Sequence, residues 1–207
     1  HHMDHETFLS ALNLAKLDGI AMLTGGEPTE HPRCCEFLEE AKQQGFRTML
    51  LSNGTFLDNH ELTRKVLDLD ITVQITNDKR YYPRRIKHVK HPNLLYTHEL
   101  SGITPIGRAK SMVATRMCPQ CFNLRSSVRH IKDLASAVIL LRGRGKFCTP
   151  SVNADGTVRA GESTECFPIG TVWSTSQEIV ERVLAHDCDN CGLHRNLPPV
   201  LLGAIGR

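Results

Sequence analysis

Cys148, Cys166, Cys188 and Cys191 are four soft ligands in a spacing that restricts their chemistry: twelve residues from Cys148 to Gly161, four more to Cys166, then a Cys-x2-Cys pair. Four thiolates close a tetrahedral site, which suits structural zinc and an iron-sulfur cluster alike. A second pair, Cys118-Pro-Gln-Cys121, can add ligands, serve as a redox couple or be incidental. The remaining two of the eight cysteines are adjacent, Cys34 and Cys35. Cys34 falls on the apolar face of an expected helix, where packing is its default role.

A second group with chemical potential sits in the first third of the chain. Thr24-Gly-Gly-Glu-Pro28 directly follows an apolar run, and Ser52-Asn-Gly54 directly follows another. If both runs are parallel strands, these residues stand at strand ends, where α/β folds place ligands. Adjacent glycines let a ligand approach the backbone, and the carboxylate of Glu27 can accept hydrogen bonds from an ammonium group. Taken alone, Gly-Gly-Glu-Pro also suits a plain tight turn.

The elements that must hold these residues are legible as a pattern. Phe8, Leu12 and Ala15 share one face of a helix starting near Asp4, and 20–23 reads as a short strand after Gly19. Cys34, Phe37, Leu38 and Ala41 predict a second helix, ended by Gly45 and followed by a strand over 46–51. Asp58 with Glu61 predicts a capping box for a third helix, and 71–75 and 93–97 predict further strands. Helix and strand in alternation imply an α/β fold with a parallel sheet. Beyond about residue 110 the texture changes. Asp155-Gly156 predicts a hairpin turn between 148–152 and 157–160, and Thr175 with Glu178 predicts a capped helix bearing Ile179, Val180, Val183 and Leu184 on one face. The expected division is an α/β portion over 4–117 and a cysteine-rich portion over 118–207.

Together these residues resemble the radical S-adenosylmethionine superfamily. The segment Gly25, Gly26, Glu27, Pro28 is similar to that family's Gly-Gly-Glu-Pro after the second barrel strand. Leu51-Ser-Asn-Gly54 resembles the end of its third strand, and Gly107-Arg-Ala109 a segment of members that modify peptides or tetrapyrrole precursors. Cys148, Gly161, Cys166, Cys188 and Cys191 resemble the Twitch half of a SPASM extension, whose cysteines hold one auxiliary [4Fe-4S] cluster. The resemblance implies a partial (β/α) barrel and a bound S-adenosylmethionine. Its methionyl amine would lie on Gly25, Gly26 and Glu27, with Ser52 and Asn53 near its ribose or carboxylate. It also implies a cluster loop of the form Cys-x3-Cys-x2-Cys upstream of Asp4; the 207 residues contain no such triplet. The implied activity is radical modification or oxidation of a peptide or small molecule, with a flavodoxin or ferredoxin as electron donor. A non-catalytic relative that keeps the fold and a structural metal is the alternative.

Composition narrows the setting. An apolar fraction of 40% and a charged fraction of 23% are those of a globular protein. A net charge of +3 does not by itself call for a nucleic-acid partner. No apolar run reaches the ~18 residues of a membrane span. The start His-His-Met resembles the end of an affinity tag rather than a secretory signal, and a cytoplasmic location is expected, where clustered cysteines are ligands or catalysts. The stretch 79–91 carries Lys and Arg but no acid, and can face an anionic substrate, an acidic partner, a nucleic acid or only solvent. A zinc-stabilised module that binds an acidic partner through it is a third reading. Asp78, His98 and Glu99 follow strands and complete the acid-base candidates, while His88 and His91 read as solvated.

Overall fold

A computed structural model describes residues 2–16, 19–77, 85–97, 151–159 and 168–185. Contacts divide the chain into two compact units, residues 18–101 and residues 1–17 with 102–207. The boundary expected between 117 and 118 lies outside the described residues.

The unit 18–101 is built on four parallel strands in sequential order: β1 (Ile20–Leu23), β2 (Arg47–Ser52), β3 (Thr72–Thr76) and β4 (Leu94–Thr97). Helices α2 (Cys34–Gln43) and α3 (His60–Asp68) make the first two crossovers. Strand alternation decides which side chains they cover. Leu50, Val73 and Leu94 stand in one row across the sheet, with Ile75 on the same face. They join Cys34 and Leu38 of α2, Val66 of α3, and Phe56 and Leu57 in one buried cluster. Fully burying each Leu or Ile contributes roughly 1.5–3 kcal/mol, so this layer fixes where the strand ends fall. Met22 and Leu95 point to the other face and are exposed.

Local chemistry sets the helix ends, with one correction. Asp58 does not cap α3: it closes a short 3-10 turn over Thr55–Asp58, and Asn59 is the cap, its side chain accepting from Leu62 N at 3.0 Å. An Asx residue one position later has the right extended backbone, which Asp58 gives up to the turn. Gly45 ends the helix-to-strand passage at φ +88°. In the third crossover the described residues 85–93 contain no helix; Ile86 and Val89 pack against the core from this strap.

In the other unit, α1 (His5–Ala15) is capped by Asp4, whose carboxylate accepts from Thr7 N at 2.7 Å. The expected hairpin forms between β5 (Ser151–Val152) and β6 (Thr157–Arg159). A third antiparallel strand, β7 (Pro168–Thr171), was not expected. It leads into α4 (Ser176–Ala185), where Thr175 and Glu178 form the capping box: Thr175 N donates to Glu178 Oε2 at 2.9 Å and Glu178 N to Thr175 Oγ1 at 3.4 Å. Val158, Ile169 and Ile179 are fully buried.

Candidate functional site

The C-terminal ends of β1 and β2 are joined by one carboxylate. Glu27 lies four residues beyond β1, at the cap of a 3-10 turn over Pro28–Glu30. Its Oε1 accepts from Thr29 N at 3.2 Å, Thr29 Oγ1 at 2.6 Å and Ser52 Oγ at 2.8 Å. Its Oε2 accepts from Asn53 N at 2.7 Å. Ser52, the last residue of β2, is buried, and its hydroxyl oxygen in turn accepts from Gly54 N at 2.9 Å. Asn53 Oδ1 accepts from Thr55 N at 2.9 Å and holds the following turn. Two loops 25 residues apart are thus one hydrogen-bonded unit.

This arrangement assigns separate tasks to the predicted residues. Gly25 and Gly26 are exposed, and a Cβ on either would meet no atom within 4 Å. Gly25 has φ +140°, a conformation that a side chain disfavours. The backbone here is open to a ligand. Glu27 Oε1 is saturated by three donors, which leaves Oε2 as the carboxylate oxygen with a lone pair to offer. Ser52 has its hydroxyl committed on both sides, so it supports the loop rather than facing a ligand. The acceptor set therefore fits an ammonium group held by glycine carbonyls and Glu27 Oε2.

Two neighbours bear on reactivity. Burial pushes the Cys34 thiol up to about 12, with the charges of Cys35 and Glu27 adding to the effect. Cys35 is also raised, by burial foremost, against the lowering effect of Lys65. Both shifts disfavour the thiolate, which is the nucleophilic form. Gly54 has φ +82°, and a Cβ there would stand 2.9 Å from Ile75 Cγ2 and 3.0 Å from Ile86 Cδ1. The strap of the third crossover thereby touches the loop that holds Glu27.

Thr29 was missed in the sequence although Glu-x-Thr carried the signal, a hydroxyl two residues from a carboxylate in a turn. Gly25, Gly26, Glu27, Pro28, Ser52 and Asn53 are brought to one edge of the sheet. Cys118, Cys121, Cys148, Gly161, Cys166, Cys188 and Cys191, with Asp78, His98, Glu99 and Gly107–Ala109, lie outside the described residues. Among the described residues no group of three or more His, Cys, Asp or Glu is placed to hold a metal ion, and no helix is long and apolar enough to cross a membrane.

No protein-family model matches the chain. A Pyrococcus furiosus protein described as a tungsten-containing aldehyde ferredoxin oxidoreductase cofactor-modifying protein is 29% identical over 106 residues, which is 49% of this chain and 28% of that protein. The chain thus matches less than a third of that relative's length.

Proposed function

We propose that this chain carries the S-adenosylmethionine-binding loops and an auxiliary-cluster site of a radical S-adenosylmethionine-type enzyme, built on a partial (β/α) barrel, that modifies a peptide or small molecule. The observation that carries the reading is the Glu27 bridge: a glycine pair with open backbone at the end of β1, locked to Ser52 and Asn53 at the end of β2 by one carboxylate. Gly25 and Gly26 would receive the methionyl amine together with Glu27 Oε2, and Asn53 would stand nearest the ribose or carboxylate. Bound at a [4Fe-4S] cluster, S-adenosylmethionine supplies one-electron cleavage of a carbon-sulfur bond. Cys148, Cys166, Cys188 and Cys191 offer the thiolate set for a second cluster, which zinc would also accept. The description of the Pyrococcus relative as a cofactor-modifying protein agrees with a catalyst of covalent modification.

Metal and ligand content test this reading. The 207-residue chain is purified without oxygen, and iron, sulfide, zinc and the visible spectrum are measured. About four irons and four sulfides per chain are expected, in line with one four-iron cluster held by cysteine. A colourless protein with one zinc and no iron would overturn it. In the cluster-replete protein, Glu27→Ala should weaken S-adenosylmethionine binding about tenfold or more while leaving the metal content unchanged. Unchanged affinity would contradict the assigned loop.

A further inference from the structure

The strap of the third crossover borders a second feature. A wide-mouthed concavity of about 480 Å³ lies between residues 88–92 and β4, walled by His88, Lys90, His91, Leu94 and Tyr96. We propose that this concavity is a binding site for a phosphate-bearing small molecule.

Its chemistry is one-sided. Lys90 brings an ammonium, and His91 accepts from Asn93 N through Nδ1 at 3.3 Å, which fixes the tautomer that offers Nε2–H as a donor. Its lining contains no carboxylate. Among the described residues none pairs with Lys90, nor with Arg85 or Lys87 on the same strap. Like charges concentrated on seven residues, with no described partner, favour an anion.

The wall is fixed before any ligand arrives. Tyr96 Oη accepts from Val89 N and donates to Val89 O, both at 3.0 Å, so one phenol holds the strap by both of its main-chain groups. Ile86 and Val89 are anchored in the core cluster, and His88 stacks on Tyr96 with ring centroids 4.5 Å apart. A solvated loop needs none of these ties, whereas a prearranged site binds with less ordering cost. His88 and Tyr96 also stack on each other, which removes those faces as platforms for the bases of a single strand. A phosphate offers two charges and several acceptor oxygens to an ammonium and an imidazole N–H.

The test uses the 207-residue chain with inorganic pyrophosphate, citrate and a short single-stranded RNA, followed by calorimetry and by the C2–H resonances of His88 and His91. Pyrophosphate should bind and shift both imidazoles. Lys90→Gln should weaken it about tenfold, the effect of losing one charge-assisted hydrogen bond, while Arg85→Gln outside the concavity changes it less than about twofold. Absence of pyrophosphate binding overturns the site. Citrate binding as tightly as pyrophosphate overturns the phosphate assignment. Tight RNA binding with equal losses in Lys90→Gln and Arg85→Gln reassigns the charges to a polymer track.

Discussion

The strand-end loops and the β5–β7 hairpin region are tied together in opposite ways. At the strand ends the decisive hydrogen bonds run between residues 25 and 26 apart, Glu27 to Ser52 and Asn53. In the C-terminal region the described side-chain bonds at the turns and the cap join near neighbours, Asp155 to Thr157, Ser174 to Thr171 and Thr175 to Glu178, and Arg182 reaches back eight residues to Ser174. The first pattern exists only once the parallel sheet has aligned β1 with β2. The second can form within a few residues of chain. Damage to the strand-end loops should therefore spread into the core, and damage to the hairpin region should stay local.

Gly54 gives the largest expected break. Gly54→Ala keeps φ near +82° against its preference and drives a methyl to 2.9 Å from Cγ2 of Ile75, which is fully buried. A loss of about 2–4 kcal/mol follows from strain plus overpacking, read by urea denaturation with far-UV circular dichroism. Trp173 is the single tryptophan of the chain and lies in the hairpin region, its ring over Gly156. Its fluorescence reports the second region separately. A Gly54→Ala protein that unfolds earlier by tryptophan fluorescence but not by dichroism would reverse the assignment of strain.

Glu27→Ala comes next. It leaves the buried Ser52 hydroxyl and the Asn53 N–H without their acceptor, which costs about 1–3 kcal/mol. Hydrogen exchange should accelerate at Asn53 and Gly54 while the amides of β6 keep their protection. Cys34 then separates the regions by pH. Its folded value is raised from 9.0 to about 12, so between these limits the unfolded chain has lost a proton that the native protein keeps. Stability falls as pH rises through that window, by about 1.4 kcal/mol per unit for one such group. Cys34→Ala should flatten this alkaline slope, and an unchanged slope would place the loss elsewhere.

The same contrast explains what could be read from residue order. The capping box of Thr175 with Glu178, the Asp155-Gly156 turn and a helix start near Asp4 are short-range and were visible as spacing. Asp58 was misjudged because two Asx residues stand side by side and only backbone geometry decides which of them caps. The strand-end loops were recognisable as a motif, yet the direction of Glu27 toward Ser52 depends on the register of β1 on β2, Leu23 beside Leu50, which no local pattern encodes. In the basic run, Ile86 and Val89 were the overlooked signal: two apolar residues three apart that turn a solvated loop into an anchored strap. β7 escaped notice because Pro168-Ile-Gly-Thr171 has neither alternation nor length, and it is a strand through its partner β6 alone.

Thr175→Ala should cost about 1 kcal/mol, the usual worth of a helix N-cap, and lower tryptophan-detected stability without touching the alkaline slope of Cys34. The smallest effect belongs to Asp155. Its carboxylate accepts from Thr157 N at 2.9 Å, and that main-chain bond, with the Thr157 side chain, holds its value below the usual 3.8. Between the folded and unfolded values the unfolded chain binds more protons, so the contribution is complete above the unfolded value and disappears as pH falls through the folded one. Asp4 and Glu178 are lowered for the same reason, each by a main-chain N–H at a helix start. Acid should therefore weaken the capped, short-range elements first, whereas alkali acts on the buried thiol beside Glu27. All three carboxylates are largely exposed, and solvent keeps each contribution small. Asp155→Asn should remove only part of the acid slope seen by tryptophan fluorescence between pH 5 and 2. If it instead removes the slope seen by far-UV dichroism, the turn at Gly156 governs more of the chain than short-range bonding allows.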